Sequence, residues 1–194
     1  MRAFLHALGV PDLLKLSMLG ALLGLMACES PVDAPIGVEA PEVFPSAAAA
    51  SGSLQSEVAR DALLRQVRQA TARYHSPLRA EADGYIPADH CVEDPALGGG
   101  MGYHWSNPDL IDPVFDLKRP EVMLYAPAPN GELRLVAVEY VVIDVGQDRP
   151  HFGDHPFDIG GTPIPVAHWS LHVWLYERNP EGIFEPYNPR ITCG

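Results

Sequence analysis

Eleven residues, Leu133-Arg-Leu-Val-Ala-Val-Glu-Tyr-Val-Val-Ile143, carry apolar side chains on both alternating sets of positions. A strand with one wet face alternates apolar and polar, whereas a strand apolar on both parities has to be covered on both sides. This run therefore predicts a central strand, and the rest of the chain has to supply its neighbours and its two covers. Glu121-Val-Met-Leu-Tyr125, bounded by Pro120 and Pro127, reads as one neighbour. Val166 to Tyr176, rich in Trp and β-branched residues, reads as another. Asn130-Gly131 between the first two is a tight-turn dipeptide. Upstream of Gly84 the period changes. Ala59, Ala62, Leu63, Gln66, Val67, Ala70 and Tyr74 recur at helical spacing, predicting a helix over 53–75 that Ser53 caps and Pro77 stops. A further helical turn is expected over 78–83. Arg60, Arg65, Arg68 and Arg73 read as a solvated helix face rather than an anion site. One helix followed by antiparallel strands implies an α+β fold with the N-terminal helix packed on the sheet. The stretch 146–165 reads as a long loop, and 178–194 as coil laid back over the domain.

That domain, residues 53–194, is preceded by two segments of different character. Arg2, His6 and Lys15 make a weakly basic start, and Ser17 to Ala27 is apolar and uncharged. The run is too short to span a bilayer and suits a signal-peptide core. Its end, Leu25-Met26-Ala27-Cys28, resembles the bacterial lipobox. The resemblance implies that residues 1–27 are a signal peptide and that Cys28 carries diacylglycerol and a further acyl chain such as palmitate. It implies a lipid-anchored cell-envelope protein. Glu29, rather than Asp, after the cysteine points to the outer membrane, facing the periplasm or the cell surface, in a cell with two membranes. Residues 28–52 are rich in Pro, Ala and Ser without an apolar period and read as a tether. A formal net charge of −12 argues against a nucleic-acid partner and leaves the lipid, not headgroup attraction, as the membrane contact. An apolar content of 47% excludes whole-chain disorder. A monomer is expected, with an envelope protein as one conceivable partner.

If Cys28 is lipidated, Cys91 and Cys193 remain as a pair in an exported, oxidising setting. A disulfide between them would close most of the domain. In the chain-entropy model, a loop of roughly 100 residues is worth about 4.7 kcal/mol before any strain is subtracted. Neither cysteine sits in a Cys-x-x-Cys pair, so the bond reads as structural. His90 beside Cys91 would suggest a nucleophile pair only if that cysteine were free.

Ala70-Thr-Ala-Arg-Tyr74, Gly84-Tyr85, Cys91, Gly100-Met-Gly-Tyr-His104 and Asn107-Pro108 together resemble a family of small exported bacterial proteins of uncharacterised function. So do Leu133-Arg-Leu-Val-Ala-Val-Glu-Tyr140, Leu171-His-Val-Trp174, Asn179-Pro180 and Asn188-Pro189 before Cys193. The resemblance covers roughly residues 57–193, implies an exported single domain, and brings no activity with it.

The chain holds no nucleophile elbow, P-loop or His-Glu-x-x-His helix. The Gly98–Gly102 run lacks the ending of a phosphate cradle and reads as a tight backbone path. Histidine is the conspicuous residue: the chain has eight, and only His6 precedes Cys28. His168 and His172 look like a helical metal pair, but on a strand i and i+4 lie about 13 Å apart. His151, Asp154 and His155 in the long loop could wrap an ion, with a solvated polar loop as the plainer reading. His104, Glu139 and His172 all fall on strands. Glu139 shares a parity with Leu133, Leu135, Ala137, Val141 and Ile143, so its carboxylate needs a partner: an imidazole, Arg134, Arg178 or an ion. Two histidines and a carboxylate suit Zn²⁺ or Cu²⁺ with an open position, and a hydrogen-bonded core network is the alternative. The function expected is a ligand-, metal- or protein-binding module. A metal-dependent hydrolase using His104, Glu139 and His172 is the competing reading.

Overall fold

A computed structural model describes residues 47–161 and 164–194. The expected signal peptide, Cys28 and most of the expected tether lie outside the described residues. The first element, α1 (Ala47–Thr71), begins at Ala47-Ala-Ala-Ala50, inside the stretch expected to be tether. Alanine has the highest intrinsic helix propensity, and that preference needs no apolar period. The helix ends at Thr71 rather than at His75. The Thr71 hydroxyl donates to the Val67 carbonyl at 2.8 Å, and a 3-10 turn over Ala72–His75 carries Tyr74 inward. Pro77 then opens α2 (Pro77–Ala82) at its first turn, where a missing N–H costs nothing. Leu64, Val67, Thr71 and Tyr74 form the buried stripe of this segment. Among the described residues no helix is long and apolar enough to cross a membrane.

The strands are β1 (Cys91–Asp94), β2 (Gly99–Ser106), β3 (Val122–Pro127), β4 (Leu133–Ile143), β5 (His151–Phe152), β6 (His155–Pro156), β7 (Asp158–Ile159) and β8 (His168–Val173). Six of them make one antiparallel sheet in the order β1-β2-β3-β4-β8-β7, and β5 with β6 forms a separate small hairpin. The expected α+β architecture is present, with β4 interior to the sheet and buried on both faces. On one face α1 contributes Leu64 and Val67 to a core with Met123, Tyr125, Val138, Tyr140, Leu171 and Val173. On the other, Val122, Leu124, Ala137 and Val141 pack with Trp174 and Ile191.

The C-terminal coil supplies part of that second cover. Asn188 exchanges backbone hydrogen bonds with Gly100 at 3.0 and 3.1 Å, and Ile191 is buried. Cys193 is bonded to Cys91, with their Cα atoms 5.8 Å apart. The glycine run permits this approach: a Cβ on Gly99 (φ +124°) would run into the Asn188 carbonyl, and one on Gly102 (φ +94°) into that of Tyr125.

Two expectations need correction. Simple alternation sets Leu133 and Leu135 on the face of Glu139, but the register shifts between Leu124, opposite Ala137, and Tyr125, opposite Leu135. Val136 is the extra residue of this bulge, and its carbonyl accepts from Tyr176 and Glu177 at 3.0 and 3.1 Å. Leu135 therefore joins the helix-side core and Leu133 packs against it. The stretch 146–165 is also more than a loop. It holds β5, β6 and β7, and Phe152 and Phe157 are fully buried in the helix-side core.

Candidate metal centre

Three strands deliver the three polar side chains. Glu139 on β4 lies directly opposite His172 on β8. His104 on β2 pairs with Leu124 on β3, and Leu124 in turn pairs with Ala137, two residues from Glu139. His104 thus reaches Glu139 diagonally across β3. Their sequence neighbours Trp105, Val138, Tyr140, Leu171 and Val173 belong to the helix-side core, so alternation turns all three side chains to the opposite face.

One ligand atom from each residue can be chosen so that all lie within 4.8 Å of one another, and this is the only such group of three or more among the described residues. Nε2 of His104 is 3.7 Å from one carboxylate oxygen of Glu139, and Nδ1 of His172 is 4.0 Å from the other. The two imidazole rings meet edge to face with centroids 5.8 Å apart. Hydrogen bonds to a carboxylate need roughly 2.7–3.2 Å, so these are not hydrogen bonds. The edge of a tetrahedron with ~2.1 Å bonds is about 3.4 Å. The two imidazole–carboxylate separations exceed that by about 0.3 and 0.6 Å, and the set as a whole lies within 4.8 Å, so seating an ion requires the three side chains to draw together.

The surroundings suit the same reading. His104 Nδ1 lies 3.2 Å from the Gly102 carbonyl. A proton on Nδ1 would donate there and leave the Nε2 lone pair facing Glu139, the outer-shell arrangement that orients metal-binding imidazoles. Nε2 of His172 is buried with no hydrogen-bond partner among the described residues. Burial dominates the proton affinities. It lowers the His104 pKa to about 4, with the nearby His90 charge adding to the effect, and that of His172 to about 3. It raises the Glu139 carboxyl to about 8. Near pH 7 both imidazoles therefore keep their lone pairs, and a cation would have to displace only the carboxyl proton.

The other candidates are dispersed. Arg134 pairs with Glu177 at 2.8 Å, so the partners of Glu139 are imidazoles rather than that guanidinium. His168 and His172 share β8 as a strand, not a helix, and His168 Nδ1 faces the Val166 carbonyl at 2.8 Å. In the hairpin, His151 Nδ1 faces the Arg149 carbonyl at 2.9 Å, Asp154 accepts from the Ser56 hydroxyl, and the His155 ring stacks on Phe184. These three do not assemble into a donor set. Cys91, committed to its disulfide, is no nucleophile.

One residue beside the site went unread in the sequence. Glu121 is almost fully buried, and its Oε2 accepts from the Val141 N–H at 2.9 Å. The carboxyl stands in for a strand: β3 begins at Val122, opposite Glu139, and the side chain takes the next ladder position on β4. Burial raises this carboxyl to about 8 as well. A glutamate at the start of an apolar strand, just after Pro120, was the available signal. Compared with protein-family models, curated proteins and solved structures, the chain matches none.

Proposed function

We propose that this chain is a lipid-anchored cell-envelope protein whose domain binds a divalent transition-metal ion, Zn²⁺ in the first instance, through His104, Glu139 and His172. The observation that carries the metal reading is the spacing. Three donors, one buried and two partly buried, converge without a direct hydrogen bond between them, and a single ion would bridge all three. One carboxylate and two neutral imidazoles are a donor set for zinc or copper rather than for calcium or magnesium, which prefer oxygen. The anchor rests on the Leu25-Met26-Ala27-Cys28 end of the uncharged run, and the length from Cys28 to the domain would hold the site away from the bilayer. A binding module is the stronger reading than a hydrolase, because no further carboxylate or imidazole joins the cluster as a general base among the described residues.

Zinc titration against a competing chromophoric chelator tests the site. The parent domain should bind one ion, and a His104→Ala/His172→Ala double variant should lose at least about 100-fold in affinity, some 2.7 kcal/mol. Equal affinity in the two proteins overturns the reading. The anchor is tested separately: Cys28→Ser should lose acyl label and leave the membrane fraction.

A further inference from the structure

We propose that His90 swings in as the fourth ligand of this ion, closing a shell of three histidines and one glutamate; the assignment rests on the metal reading above. The argument begins with register. Cys91 lies opposite Tyr103 on β2, while Ile86, further back along the chain, bridges to Ser106. Between those two points the chain spends residues 87–90 where β2 spends only His104 and Trp105. The surplus has to bulge beside His104, and His90 is its last residue. Cys91 pairs with Tyr103 in an antiparallel ladder, so the residue before it emerges next to the His104 position of β2.

Two further observations agree. His90 is exposed, so its ring can turn about χ1 without displacing packed groups. Its backbone is nonetheless anchored, because the next residue is tied through the disulfide to Cys193. An anchored base with a free side chain is what an entering ligand needs.

The chemistry follows from the count of ligands. Three protein ligands leave a position for water, as in catalytic zinc sites, whereas four close the tetrahedron. With His90 in place the site would hold its ion rather than activate a water. Because His90 is the exposed member and His104, Glu139 and His172 grade inward, with side-chain exposures of 25%, 13% and 8%, the ion would meet His90 first and leave by it last.

Cobalt substitution of the parent and of His90→Ala tests this. Four-coordinate Co²⁺ absorbs strongly in the visible, and loss of an imidazole to solvent should shift and weaken the bands. Zinc affinity should fall at least about tenfold, while the thermal midpoint of the metal-free protein stays unchanged. An unchanged affinity and spectrum overturns the role of His90 and leaves the three-residue site standing. A lower affinity with an unchanged cobalt spectrum also overturns it, since His90 would then act only through its charge. A parent that binds neither ion overturns the metal site and this assignment with it.

Discussion

The two faces of the sheet bury polar atoms in opposite ways. On the helix side the tyrosine hydroxyls are each accounted for: Tyr85 donates to the Pro120 carbonyl, Tyr125 to that of Tyr74, and Tyr140 to that of Leu117, all at 2.7 Å. On the other face, His104, Glu139 and His172 converge at distances too long for hydrogen bonds and too short for indifference. Other buried side-chain atoms without hydrogen-bond partners differ in kind. Those of Trp105 and Trp169 are indole N–H groups, which can donate but offer no lone pair to a cation. That of Asp83 has the Arg73 guanidinium 2.9 Å away. That of His172 is Nε2 of an imidazole whose other nitrogen, Nδ1, lies 4.0 Å from Glu139. Satisfied polar atoms build architecture, whereas a convergent unsatisfied set is a place for something else.

The comparison is sharpest at two adjacent residues of β4. Val138 faces the helix-side core and is fully buried between Met123 and Val173. A carboxylate there would have no partner, so Val138→Asp should destabilise the domain by about 3–5 kcal/mol or prevent folding. Chemical denaturation measures it, and a variant as stable as the parent would show that the helix side is not the dry core described. One residue on, the sign reverses. Glu139 already carries the cost of a buried carboxyl, so Glu139→Leu in metal-free protein should be neutral or stabilising by about 1–4 kcal/mol at pH 8 while abolishing zinc binding. If Glu139→Leu instead weakens the metal-free fold as Val138→Asp does, the carboxyl has a structural partner and the two faces are not distinct.

Much of this contrast could be read from the sequence, and what could not has physical reasons. The run 133–143 announced a strand covered on both sides because side-chain alternation is a local property. His104, Glu139 and His172 could be nominated because each stood on a strand-like segment. The bulge at Val136 has no comparable signature. It is set by how β3 and β4 pair, and it carries Leu133 and Leu135 to the face opposite Glu139. Strands β5, β6 and β7 are two residues each, too short for any period, and exist because Phe152 and Phe157 are drawn into the core. Glu121 could not be recognised as a ladder partner until the end of β3 was located, and His90 gained meaning only from its place beside His104.

The finest test of the two-face comparison is titration, because the helix side should be indifferent to it. In metal-free protein, Glu139 and Glu121 hold their protons up to about pH 8, whereas in the unfolded chain they lose them near 4.3. Across that window the unfolded state sheds protons that the folded state keeps, so these groups make stability fall as pH rises. The imidazoles act the other way. Unfolded, they bind protons below about 6.5, but in the fold His104 resists to about 4 and His172 to about 3, so acid also destabilises. Two opposing pairs leave stability nearly flat between about pH 4.5 and 6.5 and falling from there to 8. Zinc halves the slope of the upper limb, because it removes the Glu139 contribution and leaves that of Glu121. Binding requires the Glu139 carboxylate, so below pH 8 it expels about one proton, and affinity should rise about tenfold per pH unit towards that point. Calorimetry in buffers of different ionisation enthalpy counts the proton, and Glu139→Gln should bring the count near zero. A parent that releases no proton at pH 6.5 would mean that Glu139 is already ionised in the metal-free fold, and the face that holds it would be wetter than its burial suggests.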